Sequence, residues 1–370
     1  MMAKEKLQFF TFDRLDKINA VYSLVIGKRS NGKSYAAKKK AIDLNIKTGK
    51  QFCLIRRWEE DIKGNTGQKV FEDMEGPNGY ISIATKGRYN SVKYTSRSYY
   101  FCRRGDGGDI EECEEIPFGF AMSISASEHY KGLQYPKVEL IIFDEFLAKG
   151  QYLVNEFVEF MNLISTTIRY REGIKIIMLG NTINKYCPYF REMGLRNVKN
   201  MKPGDLEVYR FADERLTVAV QFSDVLTKKG QPNDYYFAFD NPALKMITTG
   251  EWQIPAYPHA PAKIRPKDII FTFFVDFDNE LIQGDVIQQG TDRYIYFHQK
   301  TTPVKYPEKD LIYSTEPSPK INRRVKISMP MTEGERRIWN MIRLGRAFYQ
   351  DNEVGETIRN YLLFCGYDGR

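Results

Sequence analysis

Histidine and cysteine are both scarce in this chain, whose 370 residues hold three of the first and five of the second. Cys53, Cys102, Cys113, Cys187 and Cys365 are odd in number, scattered and never in a C-x-x-C arrangement, and His129, His259 and His298 are equally dispersed. That distribution argues against structural zinc and for a reducing compartment. Long apolar runs are lacking too. The greasiest segment, Ile269 to Val275, stops at Asp276, well short of the roughly 18 apolar residues a membrane helix needs. The opening Met1-Met2-Ala3-Lys4-Glu5-Lys6 has no apolar core, so no secretory signal is expected. Internal repeats and low-complexity tracts do not occur.

What is present is the composition of a globular protein. Hydrophobic residues make up 42% and charged residues 28%, which excludes a disordered, collagenous or coiled-coil chain. At roughly 100 to 200 residues per domain, the length implies two domains and a small third element. Against 47 Asp+Glu stand 55 Lys+Arg, a net charge of +8 that permits a polyanionic partner without demanding one.

Up to about residue 200, short apolar runs alternate with longer amphipathic segments, the pattern of an α/β domain. Val21 to Ile26, Gln51 to Arg56 (QFCLIR), Val138 to Phe143 (VELIIF) and Ile174 to Leu179 (IKIIML) read as buried strands. Lys33 to Lys47 and Gln151 to Ile168 read as helices. Strands apolar on both faces imply a mostly parallel sheet covered by helices. Tyr80 to Arg104 alternates with period two and suggests surface hairpins, followed by an acidic Gly-rich loop, Gly105 to Glu115. A linker region is expected over Asp224 to Asp234 and Pro255 to Pro266, the latter with four prolines in twelve residues. Beyond it, Ile269 to Asp278, Glu280 to Gln289 and Arg293 to Gln299 form a meander, and Glu333 to Tyr349 and Glu353 to Cys365 form helices, together a separate α+β domain.

Gly27-Lys28-Arg29-Ser30-Asn31-Gly32-Lys33-Ser34 fits G-x-x-x-x-G-K-[ST] and lies directly between a buried strand and a helix, the P-loop arrangement. Backbone N–H groups there wrap a polyphosphate, Lys33 bridges its β- and γ-phosphates, and the Ser34 hydroxyl ligates Mg²⁺. The strand VELIIF ends in Asp144-Glu145, at the sheet edge where open α/β sheets bind ligands. Asp144 is expected to hold Mg²⁺ through water and Glu145 to activate the attacking water, as a hydrolytic motor requires. IKIIML runs into Gly180-Asn181-Thr182, so Asn181 is a candidate γ-phosphate sensor if its strand neighbours that of Asp144, although a turn Asn after a strand is the plain alternative. Asn184-Lys185-Tyr186-Cys187 lacks the Asp of the N-K-x-D guanine reader, which disfavours GTP. Arg169 and Arg171 close the helix before that strand. A guanidinium there reaches a neighbouring subunit's γ-phosphate or, alternatively, only complements the helix dipole.

The blocks VIGKRSNGKSYAAK, QFCLIRR, KGLQYPKVELIIFDEF, TTIRYREGIKIIMLGN and CPYF, with the terminal RLGRAFYQDNEVGETIRN, resemble the DNA-packaging ATPases of phi29-type small tailed phages over most of the chain. The P-loop and FDEF are shared with many ATPases, whereas the spacing of the blocks is specific. The resemblance implies a homomeric pentameric ring in the host cytoplasm, docked on the portal (connector) of a prohead and driving double-stranded DNA inward with ATP and Mg²⁺. A structural RNA is left open. It implies an ASCE P-loop ATPase domain over 1–220, a small linker domain over 221–255 and a vestigial RNase H-like nuclease domain over 256–370. It carries phosphate binding to Lys33 and Ser34, the Walker B pair to Asp144 and Glu145, the trans-acting arginine to Arg169, and a pore-side basic residue to Lys131. This chain departs in its hairpin insertion around Tyr89 to Glu115 and in Glu59, where a relative has lysine, which puts a DNA or trans-nucleotide role for that loop in doubt.

DNA contact is only partly legible. Lys86, Arg88, Lys93, Arg97, Arg103 and Arg104 alternate with Tyr89, Tyr94, Tyr99 and Tyr100, the mixture of a backbone-gripping surface or of a solvated basic hairpin; Arg88 and Lys93 join Lys131 as candidate DNA contacts. In the C-terminal region Asp276 and Asp278 fall on one face of the first strand and Glu280 begins the next, short of a full nuclease site. The alternatives are a terminase-like packaging ATPase with an active nuclease, and a P-loop kinase unrelated to DNA.

Overall fold

The computed structural model describes residues 9–148, 152–153, 155–181, 186–213, 215–224 and 255–367. The chain divides into two compact units, Met1–Gln253 and Ile254–Arg370.

The first unit is built on strands β1 (Tyr22–Gly27), β2 (Gln51–Arg56), β3 (Ser91–Thr95), β4 (Ser98–Arg104), β5 (Ile110–Cys113), β6 (Gly119–Ser123), β7 (Val138–Asp144), β8 (Lys175–Asn181), β9 (Leu206–Phe211) and β10 (Leu216–Phe222). Their order in the sheet is β3-β4-β6-β2-β7-β8-β1-β10-β9, with β5 on β4. From β6 to β10 every pairing is parallel. The helices are α1 (Asp13–Ile18), α2 (Lys33–Thr48), α3 (Gly64–Gln68), α4 (Tyr80–Ala84), α5 (Glu156–Ile168) and α6 (Pro188–Glu192). Successive strand residues face opposite layers. Leu24, Ile26, Ile55, Phe143 and Met178 pack with Phe160 and Leu163 of α5 and Tyr189 of α6. Val25, Leu54, Ile142 and Ile177 pack with Ala37, Ala41 and Ile42 of α2. Strands sandwiched in this way have no polar face, which is why they read as unbroken apolar runs.

Several sequence expectations change. Tyr80 opens a helix rather than a hairpin, because Ile81 is fully buried and the Tyr80 hydroxyl donates to Asp43 of α2 at 2.5 Å. The hairpin β3–β4 is not surface material: Val92, Tyr99 and Phe101 point inward and are fully buried, with Phe101 stacked on Phe118 at 3.9 Å. The cysteines, scattered in sequence, are not all apart in space, since the β4–β5 register sets Cys102 opposite Cys113 and the two form a disulfide. Strand β10 carries the sheet past the expected limit at 220, to Phe222, and the expected linker domain over 221–255 falls almost wholly outside the described residues. The expected helix start at Gln151 lies outside them as well.

The second unit contains β11 (Ile269–Phe277), β12 (Glu280–Gln289), β13 (Asp292–Gln299), β14 (Ile312–Ser314), β15 (Arg323–Arg324) and β16 (Ala347–Tyr349), ordered β15-β14-β11-β12-β13-β16. The meander β11–β13 is antiparallel, while β14 joins β11 and β16 joins β13 in parallel. Helix α7 (Glu333–Arg343) ends before the expected Tyr349: Gly345 turns at φ +68°, and the next residues become β16. Helix α8 (Asn352–Phe364) starts where the Asp351 side chain accepts from Val354 N–H. Asp278 does not share a strand face with Asp276. It sits with Asn279 in the β11–β12 turn, at φ +53° and +64°.

Candidate nucleotide site

Strand β1 delivers the chain to Gly27 and α2 begins at Lys33, so the loop between them closes over the helix N-terminus. Its glycines sit in close quarters. A Cβ on Gly27 would stand 3.0 Å from Cβ of Ser223, and one on Gly32, at φ +89°, would stand 3.1 Å from Cβ of Phe9. Asn31 braces the loop from inside, donating from Nδ2 to Ser223 Oγ at 3.0 Å and accepting at Oδ1 from Lys33 Nζ at 3.0 Å. Lys28 is half-buried, and Arg29 and Ser30 are exposed along the rim.

Lys33 is only 5% exposed. Its ammonium donates to the carbonyls of Gly27 at 3.2 Å and Lys28 at 2.5 Å, and to Asn181 Oδ1 at 3.3 Å. Burial pushes its pKa down to about 8, and the charge of Asp144 opposes that fall. A cation held by neutral oxygens at a helix N-terminus is matched to an incoming anion. Asn181 is there because β8 lies between β1 and β7, the adjacency on which the expectation of a sensor depended.

On the other side of the loop, Ser34 Oγ donates to Asp144 Oδ1 at 3.2 Å. A hydroxyl and a carboxylate oxygen within one ion's reach fit the hard oxygen set that Mg²⁺ prefers. The remaining Asp144 oxygen pairs with Arg56 at 2.9 Å, and the same guanidinium reaches Glu145 at 3.0 Å. Glu145 is held at φ +65°, a conformation costly for a non-glycine residue. Arg57 supports it, donating to the carbonyls of Glu145 at 3.2 Å and Phe146 at 2.7 Å, and pairing with fully buried Glu156 at 2.8 Å. The Tyr189 hydroxyl completes that network by donating to Glu156 at 2.8 Å. The whole opens into a cleft of about 1280 Å³ that takes in the loop, Asp144, Glu145 and Asn181.

Sequence reasoning missed Arg56, Arg57, Glu156 and Ser223. A double arginine after a strand was visible, but only the order of β2 beside β7 says what it meets.

The remaining candidates lie elsewhere. Helix α5 begins at buried Glu156 beside Arg57 and ends with exposed Arg169 donating to Leu133 O at 2.9 Å, so Arg169 does not enter this chain's own cleft. Arg171 is spent on the carbonyls of Tyr135, Pro136, Val138 and Thr167. Lys131 pairs with Glu128 at 2.5 Å, Arg88 pairs with Glu112 at 3.2 Å, and Lys93 is exposed on β3. Arg97 and the Ser123 hydroxyl both engage Glu59. Tyr89 and Tyr99 are buried, so they cannot serve the gripping surface expected of that hairpin. Thr182, Asn184 and Lys185 lie outside the described residues. In the second unit, Asp276 is flanked by Arg323 and Glu316, while Asp285 accepts from Thr272, Gln283 and His298.

Comparison with known proteins gives consistent matches. The model of the podovirus DNA encapsidation protein (Gp16) family matches residues 4–210. A DNA packaging protein of Bacillus phage B103 is 34% identical over 180 residues, 47% of this chain and 48% of that protein. The chain thus spans about half the length of the curated relatives it matches. Among solved structures, the Phi-28 gp11 DNA packaging motor covers 99% of this chain and 100% of its own at 16% identity and TM-score 0.56. The bacteriophage Phi-29 viral genome packaging motor assembly covers 96% of this chain and 98% of its own at 20% identity and TM-score 0.55. Both likenesses are of fold.

Proposed function

The chain belongs to the podovirus DNA encapsidation protein family, and from that premise we propose that it is an ATP-driven motor moving double-stranded viral DNA into a prohead. The observation that carries this reading is the joint placement of Lys33 against Asn181 and of Ser34 against Asp144 around one P-loop. Backbone N–H groups of Gly27 to Ser34 bind the phosphates of ATP, and Lys33 exchanges its carbonyl partners for phosphate oxygens. Ser34 and Asp144 hold Mg²⁺, which supplies charge neutralisation to the phosphates when bound. Glu145 takes the proton of the attacking water, and Asn181 hydrogen-bonds the γ-phosphate. The insertion of β8 between β1 and β7 supports the ASCE class.

The remaining parts of the proposal are a homomeric pentamer on the portal vertex in the host cytoplasm, Arg169 acting on a neighbour's nucleotide, and Lys131, Arg88 and Lys93 touching DNA phosphates. The exposed position of Arg169, away from its own cleft, supports a role in trans. The domain proposal keeps a motor from residue 1, now carried to the end of β10 at Phe222, a linker from there to 255 and an RNase H-like domain over 256–370. The antiparallel meander of the second unit, extended by parallel β14, supports the last of these. No specific observation favours active nuclease chemistry or a kinase.

The test is magnesium-dependent ATP hydrolysis by the full chain with and without duplex DNA and proheads. Glu145→Gln is expected to bind ATP normally and to turn over roughly 10² to 10⁴ times more slowly. Hydrolysis indifferent to both DNA and proheads would sink the translocase reading.

A further inference from the structure

The cleft continues past the phosphate turn. Beyond Gly32 it is lined by Phe9, Thr11, Asp13, Tyr35 and Lys39. The segment carrying Phe9 is tied to the P-loop, because Phe10 N–H donates to Asn31 O at 3.0 Å. It is also anchored in the core. Phe10 and Phe12 are 4% and 6% exposed, with their rings edge to face at 5.0 Å.

Phe9 itself is 60% exposed. Its Cδ1 lies 3.2 Å from where a Cβ on Gly32 would stand, so the ring overhangs the crest of the phosphate loop. Among the described residues no other ring stacks on it. A large aromatic side chain is here kept out of a core that two near neighbours enter, on backbone tied to the P-loop, so only its own rotamer remains to be ordered by a ligand. Asn181, Asp144 and Glu145 mark the γ-phosphate end of the cleft. The nucleoside leaves from the opposite end of the triphosphate, and Phe9 is an exposed ring on the cleft wall beyond Gly32.

We propose that Phe9 is the stacking platform for the nucleotide base. This rests on the phosphate-site reading above. Stacking uses the π-face that every base presents, so the platform adds affinity without choosing among bases. Base identity, if read at all, is read by other groups.

The experiment is calorimetric titration of the full chain with Mg-ATP, Mg-GTP and inorganic tripolyphosphate. Phe9→Ala is expected to weaken both nucleotides by roughly 5- to 150-fold, to leave tripolyphosphate unchanged, and to be rescued by Phe9→Trp. The exposed position makes the substitution compatible with folding, which thermal melting checks. An unchanged ratio of ATP to tripolyphosphate affinity in Phe9→Ala overturns the inference, as does equal weakening of all three ligands. Failure of the phosphate-site reading looks different: the unmodified chain binds no tripolyphosphate, and Lys33→Ala changes nothing.

Discussion

Among the described residues Lys33 has four oxygen acceptors and no carboxylate in direct contact, and burial lowers its pKa to about 8. Between pH 8 and the ordinary lysine value of 10.5 the folded chain therefore holds fewer protons at this residue than the unfolded chain does. Stability then rises with pH across that window, because the cost of a buried ammonium is relieved as it deprotonates. Denaturant midpoints of the nucleotide-free protein, taken as the difference from Lys33→Met, should show that slope above pH 8 and none below it. The placement of Lys33 inside the loop was legible because the motif is contiguous, so spacing alone locates it. Arg57 was not legible. Its partners Glu145, Phe146 and Glu156 are distant in sequence, and no local pattern names them.

Strand β2 ends in Arg56 and is followed directly by Arg57, and the two have separate tasks: Arg56 meets the carboxylates of Asp144 and Glu145, and Arg57 meets the backbone of the same turn and Glu156. Removing one partner of a buried pair leaves the other charge uncompensated. Arg57→Met is thus expected to cost about 3–5 kcal/mol in denaturant unfolding, and Arg57→Met with Glu156→Met to recover most of that loss. The hairpin β4–β5 makes a separate element-scale prediction. Its disulfide closes a short loop, and Cys102→Ser with Cys113→Ser should cost about 2–3 kcal/mol by chain entropy. Hydrogen exchange should quicken in β4 and β5 while ATP affinity stays as it was. Period-two alternation announced strands in this region, yet only the register could show that Cys102 faces Cys113 and that Tyr99 points inward.

For the whole molecule, α5 begins at Glu156 beside Arg57, which braces the Glu145 turn, and ends at exposed Arg169, which donates to Leu133 O, so the guanidinium proposed to act in trans lies away from this chain's own cleft. If hydrolysis is completed between subunits, Arg169→Ala and Glu145→Gln should each be nearly inactive alone, the former by roughly 10³- to 10⁵-fold. Mixed, they should regain activity, because some interfaces pair an intact Arg169 with an intact Glu145. No gain on mixing would remove the trans assignment. The sequence by itself determined the buried strands, the phosphate loop and the acidic strand end, because each is a local pattern of polarity or conformation. The tertiary structure decided the order β2-β7-β8-β1, and with it which side chains converge on Asp144, because strand order depends on contacts between segments far apart in the chain.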